Sequence, residues 1–355
     1  MISWFMIAGG TVALTFGAEL LIKGASTLAT RFGISPIIIG LTVVAFGTSA
    51  PEMAVSVNAA IRGQADIAVG NVLGSNILNI MLILGATALI APLSVHLQII
   101  RVEVPIMIAA GVFTYFFSLS GQIDRMEGIL TLGLLVVYVL FQIRNSLAEN
   151  KKDSRAGGVM VSPVWQDGLR ILCGLFLLVF GSDYFVQGAV TIARGFGVSE
   201  LVIGLTVVSV GTSLPEIATS LMAALKKQTD IAVGNVVGSN IFNSLGVLGI
   251  AGSASPSPVQ VSPQVLSFDF PLSIAVSLLC FPLFLRGLKI GRLEGFGFLI
   301  GYIAYVGFLI LDQWGNPMVS GKHAQVVHFI FPLVAFLLIV YAARELIAHP
   351  RGKKT

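Results

Sequence analysis

The chain has 355 residues, 55% of them apolar and only 11% charged, with a formal net charge of +4 and a mean hydropathy of +0.92. An average soluble protein is about 25% charged, and seventeen acids with twenty-one bases are too few to coat soluble domains of this length. The composition therefore excludes a disordered chain and most soluble enzymes. It describes a polytopic protein whose second solvent is lipid.

A spanning helix needs about 20 mainly apolar residues. From the N-terminus, that ruler predicts spans over 3–23, 36–61, 67–90, 101–120, 126–143, 168–192, 200–225, 231–252, 266–286, 293–312 and 326–347. The first is read as a helix and not a leader peptide, because no basic segment precedes it and Glu19 lies inside it. Positive charge accumulates on the cytoplasmic side. With the N-terminus outside, seventeen of the twenty-one Lys and Arg fall in cytoplasmic connections or the C-terminal tail; Arg62, Arg125, Arg194 and Lys322 fall outside. The expected orientation is N-terminus out and C-terminus cytoplasmic. The 144–166 connection becomes a cytoplasmic linker, and Ser253–Pro263 an irregular external loop.

Residues 40–85 (GLTVVAFGTSAPEMAVSVNAAIRGQADIAVGNVLGSNILNIMLILG) recur at 204–249 (GLTVVSVGTSLPEIATSLMAALKKQTDIAVGNVVGSNIFNSLGVLG), with 29 identities in 46 positions at a constant offset of 164. Gly17–Ser35 matches Gly181–Ser199 at eight of nineteen positions, and Arg125–Gly128 echoes Arg292–Gly295. The unit is five helices long, so its second copy enters the membrane from the opposite face. The expected fold is all-α: a first repeat over 1–143, an inverted second repeat over 167–312, and an additional helix at 326–347. Inverted repeats are the plan of secondary transporters, which hold substrate near the midplane.

Each repeat sinks one glutamate into a span, Glu52 and Glu216, in matching G-T-S-x-P-E settings. Glu52 lies about 24 Å along a helix roughly 39 Å long. A carboxylate at such depth costs about 2.5–3.5 kcal/mol by insertion scales and marks function by default. Thr48 and Glu52 are four apart, as are Thr212 and Glu216, Ser75 and Asn79, and Ser239 and Asn243; that spacing places each pair on one helix face. Pro51 and Pro215 lack an N–H and free carbonyls about a turn earlier, around Gly47 and Gly211. This inventory is all oxygen, which suits hard cations and not zinc or copper. Two ionised glutamates balance one Ca²⁺ or two Na⁺. A shared site that cannot hold both loads at once is the physical basis of antiport.

Other polar residues receive plainer readings. Gly70, Gly74, Gly234 and Gly238 are expected to let helices approach. Asp66 and Asp230 are expected N-caps. Glu19 and Asp183 fall near helix ends, where a snorkelling role and a functional one stand level. Cys173 and Cys280 lack metal-ligand spacing and read as packing residues, and the four histidines as unspecific.

GTSAPE and GTSLPE, each followed by GNVxGSNIxN, resemble the α-repeats of the sodium/calcium exchanger family. That resemblance covers about residues 1–312 and implies a ten-helix fold in which spans 2, 3, 7 and 8 form the core. It implies that the long spans 1 and 6 slide across this core. Carried over by position, it implies cation ligation by Thr48, Ser49, Glu52, Ser75 and Asn79, and by Thr212, Ser213, Glu216, Ser239 and Asn243. It adds the carbonyls of Ala45 and Ser209. The family pattern has an aspartate where this chain has Asn243, and the helix at 326–347 lies beyond the expected ten. Na⁺/Ca²⁺ antiport across a cytoplasmic membrane, without a cofactor or a nucleic-acid partner, is the leading expectation. H⁺/Ca²⁺ antiport is the alternative and a cation channel a further one; the oligomeric state is left open.

Overall fold

The computed structural model describes residues 2–32, 34–150, 163–197, 209–285 and 287–316. The start of the expected seventh span, the middle of the linker and the 326–347 helix lie outside them.

The described residues are almost entirely helical. α1 (Ile2–Phe32) is followed by α2 (Pro36–Thr48), α3 (Ala50–Ile61), α4 (Ala65–Ile90), α5 (Ile99–Ser118) and α6 (Arg125–Asn150). After the linker come α7 (Val164–Gly195), α8 (Ser209–Thr212), α9 (Leu214–Leu225), α10 (Thr229–Ala254), α11 (Val265–Leu285) and α12 (Arg292–Gln313). Eight of these helices are long and apolar enough to span a membrane, and α2 with α3 makes a ninth span bent by 47°. The second expected span is thus two helices that meet at Ser49 (φ −78°, ψ 7°). Ser213 between α8 and α9 has nearly the same backbone (φ −90°, ψ 8°). A proline two residues later explains both breaks, since its ring lacks an N–H and crowds the preceding turn.

Two short strand pairs lie in the connections. β1 (Leu93–Ser94) pairs antiparallel with β4 (Lys289–Ile290), and β2 (Gln122–Ile123) with β3 (Val259–Gln260). β3 corrects the reading of Ser253–Pro263 as irregular throughout; its backbone finds a partner across the chain instead of within a local turn. Leu93 faces Ile290 as Val259 faces Ile123, so exchanging the two copies leaves the register unchanged.

Burial ranks the helices. The apolar window of α10 is wholly buried, whereas that of α12 is 11% buried, which puts α10 at the centre and α12 at the periphery of the described helices. α2 crosses α10 where Gly40 meets Gly234; a Cβ on Gly234 would lie 3.0 Å from the Ile37 carbonyl oxygen, and one on Gly238 would lie 2.7 Å from that of Leu41. The packing expected of these two glycines is present. The symmetric neighbours of Gly70 and Gly74 fall outside the described residues.

α1 and α7, of 31 and 32 residues, are about 46–48 Å long, which exceeds a 30 Å hydrocarbon layer and demands tilt. They pack along Gly10, Gly17 and Gly24 on one side and Gly174, Gly181 and Gly188 on the other. A Cβ on Gly174 would meet the Leu21 nitrogen at 2.7 Å. At one end of the pair, buried Asp167 takes Arg170 at 2.8 Å and Arg31 at 3.4 Å.

Candidate cation site

The expected site residues converge on the middle of the core. Thr48, Ser49, Glu52, Ser75 and Asn79 are each at most 2% exposed, as are Ser213, Glu216, Ser239, Asn243 and Ala45. Thr212 is half-buried beside them, and Ser209 opens α8. The hydrogen bonds that join them cross between the repeats. Ser49 Oγ donates to Glu216 Oε1 at 3.2 Å, and Ser213 Oγ to Glu52 Oε1 at 2.9 Å. The helix break therefore changes the geometry expected from four-residue spacing. Thr48 and Glu52 lie on opposite sides of a 47° bend and share no regular helix face. The non-helical backbone at each break turns its serine toward the other repeat's carboxylate.

A second layer, which the sequence reading passed over, positions these groups. Asn71 Nδ2 donates to Ser56 Oγ at 2.9 Å and to the Glu52 carbonyl at 3.3 Å. Asn235 repeats the arrangement with Ser220 at 2.9 Å and the Glu216 carbonyl at 3.5 Å. Thr48 Oγ1 donates to Asn235 Oδ1 at 3.2 Å. Asn79 Nδ2 donates to Asn240 Oδ1 at 2.9 Å, Asn76 Nδ2 to Ser244 Oγ at 3.0 Å, and Asn240 Nδ2 to the Asn76 carbonyl at 3.1 Å. The signal was present: all these asparagines are among the residues identical in the two copies. Just past Ser75 and Ser239 the helices widen into π turns, Asn79–Leu84 and Phe242–Val247. Such turns cluster at functional sites because they re-aim side chains and loosen backbone bonding.

The asparagine layer satisfies only part of the polar inventory. Among the described residues, Glu52 Oε2, Glu216 Oε2, Asn79 Oδ1, Ser239 Oγ and Asn243 Oδ1 are buried oxygens without a hydrogen-bond partner. Buried polar atoms are ordinarily paired, and leaving one unmade costs about 1–3 kcal/mol. Five such oxygens on four helices, two of them carboxylate, form a donor set for a hard cation. No group of three or more His, Cys, Asp or Glu gathers among the described residues, so the remaining donors are hydroxyl and amide oxygens.

Several smaller readings are corrected. Asp66 and Asp230 are not N-caps; Gln64 and Gln228 hold those positions, and both aspartates lie in the first helical turn. Asp230 instead faces His96 at 3.6 Å, which gives that histidine a partner. Glu19 pairs with Lys226, which follows α9, at 2.9 Å, and Asp183 accepts from Gln187 at 2.7 Å. Cys280 is buried, whereas Cys173 is exposed on α7. The Gly211 carbonyl expected to be free accepts from Ser182 Oγ of α7.

Known proteins can now be set beside this geometry. The profile of the sodium/calcium exchanger protein family matches residues 2–144 and 168–311. The chain belongs to the sodium/calcium exchanger family. It is 37% identical to inner membrane protein YrbG of Escherichia coli K12 over 87% of this chain and 96% of that one. It is 32% identical to sodium/calcium exchanger MaX1 of Methanosarcina acetivorans, over 86% and 97%. A solved structure of the sodium-calcium exchanger NCX_Mj superposes with a TM-score of 0.75 at 29% identity, covering 86% of this chain and 98% of its own. The chain is accordingly an integral membrane antiporter of the cation/Ca²⁺ class and not an enzyme. Ca²⁺ and Na⁺ are the family's substrates, carried without a cofactor.

Proposed function

We propose that this protein exchanges Na⁺ for Ca²⁺ across a cytoplasmic membrane, with Glu52 and Glu216 as the principal ligands. The supporting observation is the pair of buried carboxylates, each tied through one oxygen to the opposite repeat's serine and each left with a second oxygen unpartnered. One Ca²⁺ between them would meet two negative charges together with the free oxygens of Asn79, Ser239 and Asn243. Thr48, Ser49, Ser75, Thr212 and Ser213, with the carbonyls of Ala45 and Ser209, complete the proposed ligand set. Two Na⁺ would balance the same charge, so either load displaces the other.

The positive-charge bias supports an external N-terminus and a second repeat (167–312) inserted opposite to the first (1–143). It also supports cytoplasmic placement of the 144–166 linker. Each strand pair joins connections that this orientation assigns to a single face. Alternating access is assigned to the α1–α7 pair. Its glycine contacts bring the two backbones together, so the pair would move over the core as one body.

The deciding experiment is Ca²⁺ flux in proteoliposomes under an imposed Na⁺ gradient with pH clamped. Flux driven by the Na⁺ gradient is expected. Flux that follows pH and ignores Na⁺ would replace this reading with H⁺/Ca²⁺ exchange, and conductance without a counter-ion would replace it with a channel.

A further inference from the structure

Outside the cation site, two carboxylates are entirely enclosed; Asp167 has Arg170 and Arg31 beside it, whereas Glu103 has no such partner among the described residues. Glu103 is 0% exposed on α5, five residues into the helix and two before Pro105. It closes the π turn Ile99–Glu103, where the proline leaves the helix without its usual bond and the turn widens. Two neutral donors from α6 converge on Oε2: Gln142 Nε2 at 2.8 Å and Tyr138 Oη at 3.1 Å; Gln142 Nε2 also reaches Tyr138 Oη at 2.9 Å. The side chain of Gln98, which precedes α5, faces the same carboxyl. Glu103 Oε1 and Gln142 Oε1 are both buried without a partner among the described residues.

Among the described residues, no positive charge answers this carboxylate. The charged or titratable groups on the packed elements are Asp230 on α10, held by His96, and Asp269 and Cys280 on α11. Arg125, Glu127 and Arg144 lie toward the ends of α6, and Arg101 and Tyr115 lie on α5 itself. None of these makes a hydrogen bond or ion pair with Glu103. An unpaired buried charge is too costly to keep, so such a group is neutralised or paired. A metal cation is a poor fit, because Tyr138 and Gln142 aim hydrogens at the carboxylate and too few oxygens remain for a hard-cation shell. A single proton fits. Protonated on Oε2, the carboxyl would donate to the Gln142 carbonyl after the amide turns over, which satisfies the unpartnered Gln142 oxygen. When ionised, the carboxylate accepts from the Gln142 N–H as now drawn. An amide side chain serves either state because its two ends are nearly isosteric.

We propose that Glu103, Tyr138 and Gln142 form a proton-binding site, separate from the cation site, that makes the α5–α6 contact and hence transport responsive to pH. The route to the core is short. Tyr138 also borders an apolar recess of about 290 Å³ that reaches Leu245, and Leu245 belongs to the π turn that carries Asn243. The second repeat holds an incomplete copy: Tyr305 Oη donates to Asp269 at 3.4 Å, at positions equivalent to Tyr138 and Glu103. Leu309 stands where Gln142 does, and Asp269 is only half-buried. That copy is an internal control. The proposal does not depend on which cations the central site exchanges.

Infrared difference spectroscopy of the full chain in lipid, stepped in pH, reads the proton directly. The wild type should show a protonated-carboxyl band that disappears in Glu103→Gln and persists in Asp269→Asn. Gln142→Leu, which keeps Glu103, should shift that band and its titration, which holds the test open should Glu103→Gln misfold. A Glu103→Gln spectrum with every wild-type carboxyl band retained would overturn the proton site. Exchange measured in the same liposomes should lose part of its pH dependence in Glu103→Gln. A pH profile superimposable on the wild type would overturn the link to transport.

Discussion

The two copies of the repeat agree closely at the core and diverge at its flanks. At the centre, Ser49 reaches Glu216 as Ser213 reaches Glu52, and Asn71 holds Ser56 as Asn235 holds Ser220, all within 0.3 Å of one another. At the flanks, Glu103 is enclosed by Tyr138 and Gln142, whereas Asp269 has Tyr305 and a leucine in place of the amide. Ser182 caps the Gly211 carbonyl in the second copy, and Ala18 occupies its position in the first. The difference locates the shared constraint. In the proposed site a cation between the two copies would present the same demand to both, whereas contacts to lipid and to neighbouring helices differ on the two sides of the membrane.

Four tests probe that contrast. The largest effect is expected from Glu52→Gln and Glu216→Gln. Each should remove about 3 kcal/mol of cation binding, roughly 100-fold in apparent Ca²⁺ affinity by calorimetry or flux. Comparable losses in both are expected of a site shared equally; activity surviving in either would break the symmetry argument. Next is Gly174→Leu, whose side chain would collide with the α1 backbone. Overpacking of this kind costs about 1–3 kcal/mol, to be read as a lowered unfolding midpoint in detergent. Gly133→Ala, with open space around it, serves as the control.

Asn243→Asp should come third. It adds a carboxylate where two amide atoms have no partner among the described residues, so Na⁺ dependence or H⁺ sensitivity of exchange should change. Unaltered coupling and affinity would remove that position from the ligand set. The smallest effect is expected from Ser182→Ala, which releases the Gly211 carbonyl at a cost of about 1 kcal/mol. Thermal unfolding should register it, and a change in ion selectivity instead would show that this flank contact bears on the site.

Much of the site was legible in the chain because duplication marks it twice. Every residue predicted for ligation whose side chain is described lies in the core, and both glutamates are buried to 1% exposure. The i,i+4 argument that grouped Thr48 with Glu52 did not hold, because it assumes an unbroken helix and the chain bends at Ser49. The π turns were equally invisible, since a wider turn leaves no mark on hydrophobic periodicity. Glu103 escaped notice because it sits near a span's end, where a lone acid ordinarily reaches water. Its enclosure depends on α6, which is distant in sequence.

Composition, span length and the 164-residue offset determined a duplicated membrane fold and its two central acids, because lipid penalises charge wherever the chain is apolar. Tertiary structure alone decided which partner each polar atom finds. A hydroxyl or amide bonds to whatever packing places within about 3 Å, and in this protein that neighbour comes repeatedly from the opposite copy.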